Sequence, residues 1–148
     1  MNPLVRDAVL ASLHHLFVFS LVAVLFAELV LASGPPEPLR LAQLGRLDRA
    51  YGGLAGGVLA AGFLRAVFGA KGWSYYAGNP IFWTKLSVFA AVGLLSIVPT
   101  VRFIRWRKQA VPPGVAAWQA TRRWIVVQLA LIAAIPVLAV LMARGIGY

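Results

Sequence analysis

Both histidines of the chain, His14 and His15, stand side by side in the apolar run Ala11-Ser-Leu-His-His-Leu-Phe-Val-Phe-Ser20. Lys85 stands just inside another such run, in Asn79-Pro-Ile-Phe-Trp-Thr-Lys-Leu-Ser87. Neutral imidazole is the commonest nitrogen ligand to metals. An amine that loses its proton in a low-dielectric setting can ligate a metal or bind a substrate. Adjacent residues on a helix point about 100° apart, so His14 and His15 cannot both reach one metal, and only one can lead. The competing reading of His14 is a buried ring hydrogen-bonded between helices, and of His15 a residue of its surroundings or of a helix interface. Lys85 can instead snorkel to the headgroups. Arg65 and Lys71 could pair with carboxylates on a cofactor through charge-assisted bonds, bidentate in the case of the guanidinium, or touch lipid phosphate.

Other chemistry is excluded or weaker. With no cysteine there is no disulfide, thiolate metal site or iron–sulfur cluster. No nucleophile arrangement or repeated carboxylate pair occurs, and Gly52-Gly-Leu-Ala-Gly-Gly57 lies within an apolar helix rather than in a phosphate loop. Met142 is a thioether that could stand in for Lys85 as a ligand, although methionine is more often packing. His14, Val18, Leu21, Leu25 and Glu28 follow one helical stripe, which puts Glu28 about 21 Å from His14 along the axis. Glu28, with Asp48, Arg49 and Arg122 or Arg123, reads as an ion-pair cluster or as a point of proton entry.

The elements that must position these residues are membrane-spanning helices. The chain is 61% hydrophobic and only 12% charged, against about 25% charged in a soluble domain. Four runs approach the roughly 20 residues a span needs: 8–32, 50–68, 81–104 and 124–143. The expected fold is an all-α membrane protein, a single domain over 1–148 built as a four-transmembrane-helix bundle. The first run outlasts the core of a signal peptide and reads as a retained span. Ser33-Gly-Pro-Pro-Glu-Pro ends the first helix, and 39–49 reads as a short basic amphipathic segment leading into the second. Trp73, Tyr75, Tyr76 and Trp83 are expected as one aromatic belt, and Trp106, Trp118 and Trp124 as the other. In the second helix, Gly52/Gly56/Ala60 and Gly53/Gly57/Ala61 are small-residue faces that allow close packing or leave room for a flat ligand. Pro136 is expected to kink the fourth helix and widen the bundle.

The net charge of +10 reads as a topology signal and as affinity for anionic lipid headgroups, not for nucleic acid. Nine Lys and Arg residues flank the first and third connections (Arg40, Arg46, Arg49, Arg102, Arg105, Arg107, Lys108, Arg122, Arg123), and five lie towards the other side (Arg6, Arg65, Lys71, Lys85, Arg144). By the positive-inside rule both termini lie outside the cytoplasm. His14, Lys85 and Arg65 then sit about 9, 6 and 5 Å below the outer boundary, three helices contributing one polar side chain each at a shared depth.

Leu13-His-His-Leu-Phe-Val18 resembles the first-helix pattern of the HemJ-type protoporphyrinogen IX oxidases and the related CopD-like membrane proteins, and Phe82-Trp-Thr-Lys-Leu86 resembles their third-helix lysine–leucine segment. Leu44-Gly-Arg-Leu-Asp-Arg-Ala50 more loosely resembles the basic start of their second helix. The resemblance covers about the first two thirds of the chain by short motifs. It implies haem b, with His14 rather than His15 in the place of the family's histidine and Lys85 in the place of its lysine. The Pro-Arg and aromatic-His pattern that closes the first helix in that family is absent, and Glu28 with Ser33-Gly-Pro-Pro stands there instead. Arg65, Lys71-Gly72, Tyr75-Tyr76, Asn79-Pro80 and Pro99-Thr100 give the chain its nearest likeness to a family of small bacterial inner-membrane proteins within that wider group, which lends no activity of its own.

Two functional expectations follow. The first is a multi-pass protein of the bacterial inner membrane that holds haem b in the outer half of the bundle between His14 and Lys85, with Arg65 and His15 nearby. Its chemistry would be electron transfer with a quinone, or oxidation of a porphyrin-type substrate as in an oxidoreductase. With both axial positions filled by protein, electron transfer is favoured over oxygen binding. The second is a cofactor-free module that handles copper or another small solute, or scaffolds a partner through its glycine-rich helix. Self-association into a homo-oligomer is left open by either.

Overall fold

A computed structural model describes residues 2–109 and 112–147. Among them there are five helices: α1 (Pro3–Ala32), α2 (Pro38–Phe68), α3 (Gly72–Ala77), α4 (Pro80–Lys108) and α5 (Val115–Ala143). Proline opens α1, α2 and α4, where its missing N–H costs nothing and its fixed φ suits the first turn. Asn2 and Asn79 cap α1 and α4 by accepting from Leu4 N at 2.9 Å and Ile81 N at 2.8 Å. Gly72, with φ of +72°, takes the left-handed backbone that starts the short α3.

The four long helices are each long and apolar enough to cross a membrane. They extend beyond the apolar runs. At about 1.5 Å per residue, the 31 residues of α2 span about 46 Å, against a hydrocarbon core of about 30 Å. Residues 39–49 are therefore the first turns of α2 itself rather than a separate segment. Leu41 and Leu44 are buried with Phe103 and Trp106 of α4, so this basic stretch is anchored by its apolar face. Pro99 and Pro136 lie within continuous helices.

α1 packs on α2 and α5, and α4 packs on the same two helices, while α1 and α4 do not meet among the described residues. The bundle is therefore a four-cornered ring in the order α1–α2–α4–α5, with α1 diagonally opposite α4. Leu21, Leu25, Val58, Val92, Phe103, Ile125 and Ile132 fill its centre. Large apolar side chains such as Leu16, Phe19, Phe63, Leu94, Val126 and Val137 point outwards, as the lipid-facing surface of a membrane bundle does. Up-down connectivity puts both ends of the chain and α3 at one end of the bundle, and the first and third connections at the other, where the Trp118 indole N–H donates to the Gly34 carbonyl at 2.9 Å.

Trp106 and Trp118 depart from the expected aromatic belt. Both are buried, their rings 5.8 Å apart, and they close the core at the basic end. At the other end Trp73 and Trp83 are exposed, whereas Tyr76 is buried with Ala66 and Met142.

Candidate functional site

The stripe His14, Val18, Leu21, Leu25, Glu28 faces the bundle interior, its last three apolar-to-acidic positions being fully buried and the first two half-buried. His14 points towards α2, with Nδ1 3.2 Å from the carbonyl oxygen of Val58. His15 points to the exposed side, and its Nδ1 lies 2.6 Å from the carbonyl oxygen of Ala11, one turn back on its own helix. The two rings meet edge to face at 6.0 Å. The structure thus separates the pair: His14 belongs to the interior and His15 to the outer face of α1.

The packing of α1 on α2 depends on missing side chains. A Cβ at Gly62 would lie 3.1 Å from His14 Cε1, and one at Gly57 would lie 2.7 Å from Phe17 Cδ1. These glycines let the imidazole and the phenyl ring lie flat against the α2 backbone. Gly52, Gly53 and Gly56 of α2 and Gly93 of α4 have open space where a Cβ would stand. The small-residue stripes therefore divide by position, with close packing at Gly57, Ala61 and Gly62 and an exposed, uncovered face at Gly52, Gly53 and Gly56.

Lys85 and Arg65 join His14 from two other helices. The positive charges of both act on the His14 ring, and the charge of Arg65 acts on Lys85. All three are half-buried. Arg65 Nε is shielded from solvent without a hydrogen-bond partner, and neither cation has a carboxylate partner among the described residues. Asp7, the acid at this end, accepts instead from the Ala70 backbone N–H at 3.3 Å. Two cations and an imidazole held together without an anion make a site that attracts one. Because α1 and α4 are diagonal in the ring, His14 and Lys85 approach this end of the interior from opposite corners. Met142 does not join them, since it is packed against Ala66 and Tyr76.

The nitrogen donors here are of a kind that ligates metals. A carbonyl oxygen can only accept, so the bond to Val58 fixes the proton on His14 Nδ1 and leaves the Nε2 lone pair for a metal, the arrangement usual in histidine ligation. Lys85 supplies a second nitrogen, and Arg65 a donor for a carboxylate. No group of three or more His, Cys, Asp or Glu able to hold a metal ion occurs among the described residues.

The opposite end carries a second polar group, only partly anticipated. Glu28 is 2% exposed, and its Oε1 has no hydrogen-bond partner. The expected ion pairs are not formed, because Arg122 and Arg123 lie on the exposed side of α5. Asp48 accepts from the Thr100 hydroxyl at 2.7 Å. Tyr51 O–H donates to Gln128 Oε1 at 3.4 Å, and Gln128 in turn donates to the Trp124 carbonyl at 3.3 Å. Tyr51, Thr100 and Gln128 escape a search for ionisable groups alone. The signal that points to them is polarity inside apolar helices, clearest for Gln128 in α5.

The family model described as a predicted membrane protein (DUF2214) matches residues 6–147. No curated protein and no solved structure matches the chain.

Proposed function

The chain belongs to the DUF2214 family of predicted membrane proteins, a multi-pass protein of the lipid bilayer, and from that footing we propose that it binds haem b at the end of the bundle where His14, Lys85 and Arg65 converge. The observation that carries this reading is the diagonal pair of nitrogen donors, His14 with its Nε2 left free by the Val58 hydrogen bond and Lys85, which has no hydrogen-bond partner among the described residues, beside Arg65, whose buried Nε has none among them either. The likeness of Leu13-His-His-Leu-Phe-Val18 and Phe82-Trp-Thr-Lys-Leu86 to the HemJ-type oxidases supports it from the sequence. His14 would hold the group through Nε2, Lys85 would hold or closely contact it through its amine, and Arg65 would hold a propionate. Bound haem supplies one-electron redox chemistry.

If both residues hold the group, the activity favoured is electron transfer, with a membrane quinone as a partner of suitable polarity; a porphyrinogen-like substrate oxidised with such a quinone as electron acceptor is the other reading. The surplus of Lys and Arg at the first and third connections supports a bacterial inner-membrane location with both termini on the periplasmic side. Visible absorption of protein purified from haem-replete cells tests the proposal. A Soret band that shifts on reduction is the expected result, and a colourless, folded protein would overturn it.

A further inference from the structure

The second polar group lies in the half of the bundle that the haem proposal does not use, and it stands independently of that proposal. Glu28 and Asp48 are two of only four Asp and Glu residues in the chain, the others being Asp7 and Glu37. They come from adjacent helices, and the charge of Asp48 acts on Glu28. No basic side chain compensates Glu28. From α2 it is faced by Asp48 and the Tyr51 phenol, and the uncharged Gln128 of α5 accepts from that phenol, while Arg49 acts on Asp48 rather than on Glu28. From α4, Thr100 is committed to Asp48, and Arg102 donates to the Thr121 hydroxyl at 3.0 Å.

Two carboxylates inside a bundle, one of them acted on by the other's charge and without a hydrogen bond, cannot both remain ionised without a counter-charge. The missing positive charge is a proton or a small cation. A cation would need about six converging oxygens, and here two of the nearby oxygens are already engaged, since the Thr100 hydroxyl serves Asp48 and Gln128 Oε1 accepts from Tyr51. A proton needs one oxygen, and Glu28 Oε1 offers it.

A route for that proton is present. A cavity of about 380 Å³, lined by Asp48, Arg49, Tyr51, Ser96, Thr100 and Arg107 among others, opens between α2 and α4. At about 30 Å³ per water it has room for about ten molecules. Arg49 and Arg107 are exposed at the basic end, and Tyr51 at the inner end of the cavity is only 4% exposed. The cavity thus joins the basic face of the protein to Asp48, whose charge acts on Glu28 behind it.

We propose that Glu28 and Asp48 form a proton-binding pair, loaded with one proton through this cavity from the basic end of the bundle and holding it on Glu28. Loading transfers a proton from a cavity water to a carboxylate oxygen and leaves a neutral carboxylic acid. Release returns the same proton to water, and no electrons move.

The test is infrared spectroscopy of the full chain in lipid, titrated over pH in H₂O and D₂O. The expected result is one protonated carboxyl band per chain near neutral pH, shifted by D₂O. Glutamate labelling with ¹³C in the wild-type chain should move that band, and only Glu28 and Glu37 carry the label. Glu37, exposed in the first connection, serves as the control: Glu37→Gln should leave the band in place, Glu28→Gln should remove it, and Asp48→Asn should shift its midpoint by about one pH unit or more. Absence of the band, its failure to move with labelled glutamate, or its loss on adding sodium or potassium at constant pH would each overturn the proposal, the last by putting a metal cation where the proton is placed. Labelling combined with Glu37→Gln alters only an exposed residue, so it assigns the band to Glu28 even if Glu28→Gln does not fold.

Discussion

His14 Nδ1 lies 3.2 Å from the carbonyl oxygen of Val58, a contact that ties α1 to α2 and sets the tautomer of the ring. An acceptor on one side of the imidazole forces the proton to that side, so the lone pair on Nε2 is available away from the α2 backbone. His15 makes its equivalent contact with Ala11, within its own helix. One histidine is thus locked between helices and the other lies along the surface of one.

It follows that His14→Ala should lower haem occupancy at least about tenfold, since even the loss of a supporting contact typically costs 10- to 100-fold in metal affinity. His15→Ala should leave occupancy within about a factor of two. Haem per chain, measured from the reduced pyridine adduct of purified protein, gives both values. Equal losses in the two variants would contradict the separation of the rings.

Lys85 should be read from the spectrum rather than from occupancy. Lys85→Met exchanges a nitrogen donor for a thioether, and axial-ligand identity sets the electronic state of the iron. The low-spin bands should shift while the haem stays bound through His14. A spectrum identical to that of the wild type would make Lys85 a snorkelling lysine.

Arg65 is expected to act on the carboxylates of the ligand. Its shielded Nε has no partner, and a hydrogen bond to a charged group contributes about 1.5–3 kcal/mol, or about 10- to 100-fold in affinity. Arg65→Ala should weaken haem b by about that factor and leave binding of the haem dimethyl ester nearly unchanged, because the ester has no carboxylate to lose. Titration of both ligands into the apoprotein separates this from a general loss of structure, which would weaken the two alike.

The four spans were legible because length and apolarity alone decide them, and α1 ends at Ala32 as the breakers after it predict. The inward stripe from His14 to Glu28 was legible from helical periodicity. The starts of α2 and α5 were not, because the basic residues at 40–49 and 122–123 mask an apolar face whose Leu41, Leu44 and Trp118 are buried. Trp106 and Trp118 looked like interfacial anchors, since composition does not distinguish an indole facing headgroups from one stacked on another indole. The diagonal relation of His14 to Lys85 was beyond the sequence for a related reason: it depends on the order in which four apolar helices pack, and their outward faces are nearly interchangeable in composition. Charges that fail to pair, such as Glu28 with the arginines of α5, depend on the same rotations about the helix axes.

The glycines of α2 offer a test of packing that needs no cofactor. At Gly57 a Cβ would lie 2.7 Å from the ring of Phe17, and at Gly62 it would lie 3.1 Å from the ring of His14, so a larger side chain at either position must push α1 away. Gly57→Leu should destabilise the protein by about 1–3 kcal/mol, as overpacking usually does. Gly62→Val should also stretch the bond from His14 to Val58. At Gly53, by contrast, nothing lies within 4 Å of the added atom, and Gly53→Ala should stabilise the helix by up to about 1 kcal/mol through the propensity difference alone. Thermal unfolding in detergent, followed by far-ultraviolet circular dichroism, ranks the three. Should Gly53→Ala prove as damaging as Gly57→Leu, the Gly53 face must be covered by a second copy of the chain or by another molecule, and the open volume along α2 would then be an interface.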